Sequence, residues 1–277
     1  MEHNYGKQLF FGVMTLLALL VTFTSATYAW FTFSTDTNVE PLSGGIGYGE
    51  GNLTISDSPQ GPFSERCELP APPEGLLLRP LSTADLEAFY TAKAHDRNGV
   101  STVFAEDTNY TDSALCGSVY LRSEGGECGV YLSPDALDFG DDAQALAALR
   151  LGLVFTSSRG TSAHIFKLDD MGDTADAQRR QTIEESGCVV SSVSGDGRAD
   201  FVRDPADDLS DYFSGGDGDD LSPGRNLLCI LPSDEVVRVE YFLYLEGCDE
   251  NCINAVQSRE LALSLGFTGI AASGLST

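Results

Sequence analysis

Histidine and tryptophan are scarce in this sequence, which has three histidines and one tryptophan in 277 residues. His3, His95 and His164 form no H-E-x-x-H pattern, so a zincin-type metalloprotease has no visible machinery. The nucleophile-elbow, phosphate-loop and dinucleotide-binding patterns are missing as well. Because Trp30 is the only indole, a sugar-cleaving cleft would have little on which to stack its substrate. We therefore expect a protein that is not an enzyme and needs no cofactor.

Basic side chains are also few, since 16 Lys and Arg residues face 42 Asp and Glu residues. The formal net charge of −26 repels phosphate backbones and anionic headgroups over a Debye length of about 10 Å. Nucleic acid is therefore excluded as a partner. The 42% hydrophobic content is typical of a folded globular chain and not of a disordered one.

One apolar run stands near the N-terminus, from Leu9 to Thr24, behind a single lysine, Lys7. No Lys or Arg cluster follows it, and it is shorter than the roughly 20 residues that a membrane helix needs. Residues 1–29 are therefore predicted to be a signal peptide, with an uncleaved N-terminal anchor helix as the alternative. Residues 30–277 would then form a single domain, which meets a membrane only through the N-terminal segment before cleavage.

The cleavage region is predicted at Thr27, Tyr28, Ala29 and Trp30. Signal peptidases prefer small side chains at the last and third-last positions before the cut, and Ala29 and Thr27 supply them. Trp30 would be the first residue of a secreted protein, located outside the cell or on its surface.

Short strand-like segments, separated by Gly, Asp, Ser and Pro clusters, dominate the rest of the chain. In "RELALSLGF", Leu261, Leu263 and Leu265 alternate with small residues, which indicates a strand with one buried face. This punctuation is typical of antiparallel sandwiches and jelly rolls. We expect a mainly β fold, an antiparallel jelly-roll-like β-sandwich with a few short helices.

Two segments carry helix signals. In "LSTADLEAFYTAKAHD", Ser82 and Asp85 stand at capping-box positions. The segment "DDAQALAALRLG" begins with acids that suit a helix N-terminus and runs into the predicted strand "LGLVFTS". Residues 204 to about 225 are rich in Asp, Gly and Ser and are predicted to form a long surface insertion.

The chain has seven cysteines, and in an exported protein they can oxidise. Cys248 and Cys252, in "GCDENCIN", are predicted to form a disulfide that closes a small loop between two strands. A zinc site is the alternative, although it would need two further Cys or His residues nearby. Cys116 and Cys128 flank "GSVYLRSEGGE", which predicts a hairpin. An odd number of cysteines leaves at least one unpaired or intermolecular.

The segment "GGDGDD", residues 215 to 220, matches one G-G-x-G-x-D unit of the kind that binds Ca²⁺ in parallel β-rolls. Asp217, Asp219 and Asp220 are therefore candidate calcium ligands. Such sites are built by stacking repeats, and the match is single, so a solvated loop is the alternative.

Two stretches together resemble a known family. The export segment "TSATYAWFT" resembles the signal peptides of TasA and camelysin-like exported proteins of Gram-positive bacteria, which a dedicated SipW-type signal peptidase processes. The stretch "VVRVEYFLYLEGCDENCINAVQSRELALSLGFTGI" resembles the closing strand pair of many proteins with that signal.

The resemblance implies a jelly-roll β-sandwich, export to the cell surface or matrix, and assembly into fibres by donation of an N-terminal strand. The segment "WFTFSTDT" would be the donor strand, anchored by Trp30, Phe31 and Phe33. In this mode backbone hydrogen bonds supply affinity while alternate side chains fill pockets. The alternative is that the segment pairs within its own chain.

Taken together, these observations predict a secreted, non-enzymatic protein of the cell surface or biofilm matrix, which we expect to be a fibre subunit. Its partners would be further copies of itself or other matrix proteins, and the dedicated signal peptidase. The alternative function is a calcium-assisted adhesin or carbohydrate-binding β-sandwich module.

Overall fold

A computed structural model describes residues 43–46, 53–73, 76–95, 101–133, 137–139, 143–169, 187–214, 227–249, 251–252 and 263–271. The predicted signal peptide, the cleavage region with Thr27, Tyr28, Ala29 and Trp30, the donor anchors Phe31 and Phe33, and the aspartates Asp217, Asp219 and Asp220 lie outside these residues. Predictions about them stay predictions.

The described part of the chain is mainly β, as the sequence predicts. Its strands are β1 (Ser43–Ile46), β2 (Leu53–Ser56), β3 (Arg66–Glu68), β4 (Pro80–Leu81), β5 (Tyr90–His95), β6 (Ser101–Glu106), β7 (Leu115–Ser123), β8 (Cys128–Leu132), β9 (Leu149–Ser157), β10 (Gly160–Lys167), β11 (Cys188–Val193), β12 (Ala199–Arg203), β13 (Asp207–Asp208), β14 (Cys229–Leu231), β15 (Val236–Glu246) and β16 (Ser264–Ala271). Two short helices, α1 (Ala143–Ala148) and α2 (Leu209–Ser214), and a 3-10 turn at Tyr110–Asp112 complete the described elements.

Two larger sheets organise the fold. One has the strand order β13–β10–β9–β15–β7–β2, with β4 paired to one end of β15, and the other has the order β14–β8–β16–β1–β3. Most pairings are antiparallel, but β1 with β16, β4 with β15 and β10 with β13 are parallel. The prediction of antiparallel sheets is therefore wrong for these three pairs. Strands β1 and β16, from opposite ends of the described chain, enter one sheet in the same direction.

The inner faces of the two sheets enclose one apolar core. Its members include Ile55, Val119, Leu121, Val130, Leu151, Leu153, Phe155, Val239, Leu243, Leu265 and Phe267. The rings of Phe155 on β9 and Phe267 on β16 meet edge to face, with centroids 6.2 Å apart, so this contact joins the sheets. Full burial of one such side chain stabilises the fold by roughly 1.5–3 kcal/mol. The core is therefore the main source of stability.

The central strand β15 shows how burial changes along one strand. In its first half Val237 and Val239 are buried while Arg238 is exposed, which is the period-two pattern of a strand with one wet face. From Tyr241 to Glu246 every residue is buried. A strand with no wet face must be covered on both sides. Something therefore packs on the outer face of the larger sheet at this end.

The cover is the segment from Leu81 to Tyr90, whose apolar side chains join Phe242 and Tyr244 of β15 in a second cluster. Phe89 lies with its ring centroid 5.6 Å from that of Phe242 and 5.8 Å from that of Tyr244. This cluster buries the half of β15 that would otherwise face water.

The helix predicted from Ser82 and Asp85 is wrong. The segment forms bends followed by strand β5, and Leu86 has a φ of 62°, in the left-handed region that interrupts a right-handed helix. The Thr83 hydroxyl accepts the N–H of Leu86 at 3.0 Å, and Asp85 accepts those of Glu87 and Ala88. The capping side chains are thus used for local turns, an alternative that Ser, Thr, Asn and Asp offer to helix formation.

The second predicted helix is confirmed as α1, and it runs directly into β9 as expected. Of the surface insertion predicted at about 204–225, the structure describes residues 204–214, and the insertion stays a prediction. There Leu209 is buried, and Tyr212 and Phe213 pack against the main core. The Leu132 N–H also donates to the Tyr212 hydroxyl at 3.1 Å. Aromatic residues inside a polar stretch therefore attach it to the body.

The hairpin predicted between Cys116 and Cys128 is also wrong. Strand β7 belongs to the larger sheet and β8 to the smaller one, so residues 124–127 carry the chain from one sheet to the other. The reason is that Leu121 on β7 and Val130 on β8 fill the same core from opposite sides. Their strands must face each other across the core and cannot be neighbours in one sheet.

Two small hairpins complete the described structure. Strands β5 and β6 form one, strands β11 and β12 form the other, and Phe104 N–H donates to the Gly197 carbonyl at 2.9 Å between them. Tyr90, Phe104, Val190 and Cys248 form a third apolar cluster under the hairpins. Because Cys248 follows β15, this cluster attaches the β11–β12 hairpin to the end of the central strand.

Candidate functional site

The most unusual chemistry in the described structure is a buried polar cluster of Arg150, Asp204, Glu246 and Asp249. Arg150 is the second residue of β9 and pairs with Tyr244 of β15. Glu246 ends β15, two positions further along, so both side chains lie on the covered outer face of the larger sheet. Asp249 lies in the turn after β15, and Asp204 directly follows β12. The cluster thus forms where the sheet, this turn and the β11–β12 hairpin meet.

Arg150 holds the cluster together. Its Nη2 donates to Asp249 Oδ2 at 2.7 Å and to Asp204 Oδ2 at 3.0 Å. Its Nη1 donates to the carbonyls of Ala147 and Leu149, both at 3.2 Å. The side chain is 2% exposed, and burial alone would lower its pKa, but the carboxylates around it raise that pKa above the usual value. Arg150 is therefore a permanent buried cation with two carboxylate partners.

Glu246 has a weaker set of partners. Its Oε1 accepts the N–H of Cys248 at 3.1 Å, while Oε2 is buried with no hydrogen-bond partner among the described residues. The residue is 1% exposed. Burial raises the pKa of this carboxyl to about 8, although Arg150 and the Ser82 hydroxyl act in the opposite direction. At neutral pH we therefore treat Glu246 as mainly protonated.

The neighbours of the cluster connect it to the covering segment and the hairpin. Ser82 Oγ accepts the N–H of Val190 on β11 at 2.9 Å, and Ser82 exchanges both backbone hydrogen bonds with Tyr90. Burial raises the pKa of the Tyr244 hydroxyl well above its ordinary value, and it does the same for the Cys248 thiol. Both groups therefore stay neutral near pH 7.

This arrangement is suited to holding chain segments together. Arg150 and Glu246 are almost inaccessible to solvent, and the two aspartates are already hydrogen-bonded to the guanidinium. Breaking such a buried pair by removal of one partner is strongly destabilising, because it leaves an uncompensated charge. The cluster therefore makes the position of the hairpin depend on long-range polar contacts.

The predicted site residues lie partly at this cluster. Cys248 and Cys252 are both buried in the tight turn after β15, and the Cys252 N–H donates to the Asp249 carbonyl at 3.0 Å. Their disulfide stays a prediction. His164, on β10, lies 2.8 Å through Nε2 from the Leu228 carbonyl, a contact that connects the larger sheet to the segment before β14. Among the described residues, no group of His, Cys, Asp and Glu is arranged to hold a metal ion.

Sequence reasoning missed the cluster itself. A signal was present, because Arg150 stands alone in "AALRLGL" and Glu246 ends the apolar run "YFLYLE". Charged residues are seldom fully buried unless they are paired. A charge inside an otherwise apolar strand therefore suggests a buried partner, although the sequence does not say which residue that partner is.

Comparison with known proteins identifies no relative: no family model, no curated protein and no solved structure matches the chain. Among the described residues, no helix combines the length and the apolar character needed to cross a bilayer.

Proposed function

We propose that this chain is a secreted, non-enzymatic structural protein of the cell surface or biofilm matrix, and that its copies assemble into fibres by donation of an N-terminal strand. The body would be a jelly-roll-like β-sandwich. The two sheets around one core and the small share of helix are consistent with that architecture.

The observation that carries the proposal is the position of β1. Ser43–Ile46 has a neighbouring strand on each side, with β16 parallel to it and β3 antiparallel. The chain that precedes Ser43 therefore starts from the interior of the smaller sheet, beside the first residue of β16. Ser43 is the first residue that the structure describes, and the predicted donor segment precedes it in the sequence.

The distance to the predicted donor is short. Residues 38–42 separate the donor segment from β1, and the step from Thr37 to Ser43 spans at most about 21 Å when extended. A donor on so short a link would hold two bodies close together. Among the described strands, the smaller sheet ends in β3 on one side and β14 on the other, and a terminal strand is a ready template for an added strand.

The experiment uses purified mature protein, residues 30–277, in electron microscopy and analytical ultracentrifugation. Wild-type protein should form filaments. Deletion of residues 30–38 and the triple variant W30A/F31A/F33A should both remain monomeric. Phe201→Ala is the matched control, because it removes an aromatic ring that is 36% exposed elsewhere on the surface, and it should still form filaments.

A synthetic peptide of residues 30–38 gives a second readout, because it should occupy the acceptor edge and shorten wild-type filaments. Filaments that persist in the deletion variant would overturn strand donation. A wild-type monomer that shows calcium-dependent binding on a glycan array would instead support the alternative adhesin function.

A further inference from the structure

We propose that Glu246 is uncharged in the folded protein and that loss of its proton opens the junction between the larger sheet and the β11–β12 hairpin. The hairpin is then attached most firmly at acidic pH. This inference concerns the buried polar cluster and does not depend on fibre formation.

The first step of the argument is the charge balance at the junction. Three carboxyl groups surround one guanidinium, and Asp204 and Asp249 already share its Nη2. Arg150 Nη1 is occupied by two carbonyls. Within the part of the chain that the structure describes, Glu246 therefore has no direct cationic partner at hydrogen-bond distance.

The second step is the cost of a third negative charge. Glu246 is 1% exposed, and its Oε2 is buried without a hydrogen-bond partner among the described residues. An ionised carboxylate in such a place must either take up a proton or reach water. The groups that act on it from the packed elements are Arg150 on β9, Asp204 after β12, Tyr244 on β15, Ser82 in the covering segment and Cys248 in the turn, while Asp249 is bound to Arg150. Only Arg150 among them is a cation.

The third step identifies the contact that breaks when Glu246 loses its proton. The side chain of Asp204 is 20% exposed and that of Asp249 10%, so Asp204 is the more easily hydrated partner of Arg150. Arg150 Nε is also buried without a partner and is therefore a possible donor to an ionised Glu246. Once Asp204 leaves Arg150, the hairpin retains three hydrogen bonds, Ser82–Val190, Phe104–Gly197 and Tyr90–Ser191, together with its apolar cluster. These contacts are fewer, so the hairpin opens more often.

The direction of the pH dependence follows from the raised pKa of about 8 in the folded state. A carboxyl in the opened junction has an ordinary pKa of about 4.3. The closed state therefore binds the proton more tightly, and its advantage is complete below about pH 4.3 and lost as pH rises to about 8. Within that window one proton changes the opening equilibrium by about tenfold per pH unit.

The test is amide hydrogen exchange of β11 and β12 in the full mature chain, between about pH 5.5 and 7.5 and corrected for the intrinsic pH effect. In wild-type protein the opening equilibrium should rise about a hundredfold across this range. Glu246→Gln keeps the shape of the side chain without a titrating proton, and the rise should vanish. Glu240→Gln on the same strand is the matched control, and it should behave as wild type, because its carboxylate pairs with Arg238 on the exposed half of β15.

Two results would overturn the proposal: a Glu246→Gln variant that keeps the wild-type pH dependence, or wild-type exchange that does not change with pH. A carbon-13 NMR titration of glutamate carboxyls in the wild-type protein needs no variant. It should show one carboxyl still protonated at about pH 6 in the folded state. If every glutamate is ionised there, the inference is wrong, whatever the variant does.

Discussion

The core between the two sheets and the junction at the end of β15 both hold distant segments of the chain together. The core does so by apolar packing, and the junction does so by buried polar contacts. In the core, apolar side chains from facing strands meet, and any residue of similar size and apolarity serves nearly as well. At the junction, Arg150 must meet two specific aspartates, one of them 54 residues away along the chain. The core therefore tolerates exchange of residues, whereas the junction depends on particular partners.

The sharpest way to break the junction is to remove its cation. Arg150→Ala leaves the partly buried Asp204 and Asp249 without their cationic partner, and we expect a loss of about 4 kcal/mol in the free energy of unfolding. Urea denaturation measures it. Arg238→Ala, which removes an exposed arginine whose side chain is 50% accessible, is the control and should cost less than about 1 kcal/mol. Equal losses in the two variants would mean that Arg150 contributes no more to the stability of the fold than an exposed arginine does.

A substitution in the core gives the other side of the comparison. Leu153→Ala removes a fully buried side chain between the sheets and should cost about 3 kcal/mol, through lost transfer energy and the cavity left behind. Because leucine carries no charge, the loss should be the same at about pH 5 and pH 8. A loss that depends strongly on pH would show that core and junction are coupled.

The smallest of the three effects concerns the packing between sheet and cover. A Cβ at Gly152 would lie 2.5 Å from Cδ2 of Leu86, so Gly152→Ala forces the covering segment to shift. We expect a loss of about 2 kcal/mol, measured by thermal unfolding. The double variant Gly152→Ala with Leu86→Ala should lose less than the two single losses added together. If the two losses in stability simply add, the side chains at positions 86 and 152 do not compete for the same space.

The sequence predicted the strands well where they have one wet face or a continuous apolar run. The segments of β9 and β16 were recognisable from apolar runs, from alternation and from the surrounding punctuation. It failed for residues 82–95, where capping side chains suggested a helix. There Leu86 takes a left-handed conformation over Gly152, a contact between residues 66 positions apart that no local pattern records.

The buried polar cluster shows the same limit at the candidate site. Arg150 and Glu246 are conspicuous in apolar segments, so their burial could have been suspected from the sequence. Their partners could not, because Asp204 and Asp249 are two among 42 acidic residues. Whether one carboxyl group keeps its proton depends on how many carboxyl groups surround Arg150. That arrangement forms only when the chain folds.

By itself the sequence determined the mainly β character, the acidic surface and the position of most strands, because these follow from composition and from a two-residue period along the chain. Only the tertiary structure decided which strands share a sheet, that residues 81–90 cover the outer face, and that four ionisable side chains meet at one junction. The physical reason is that local patterns specify which face of a strand is buried, whereas partners are chosen by contacts between distant segments.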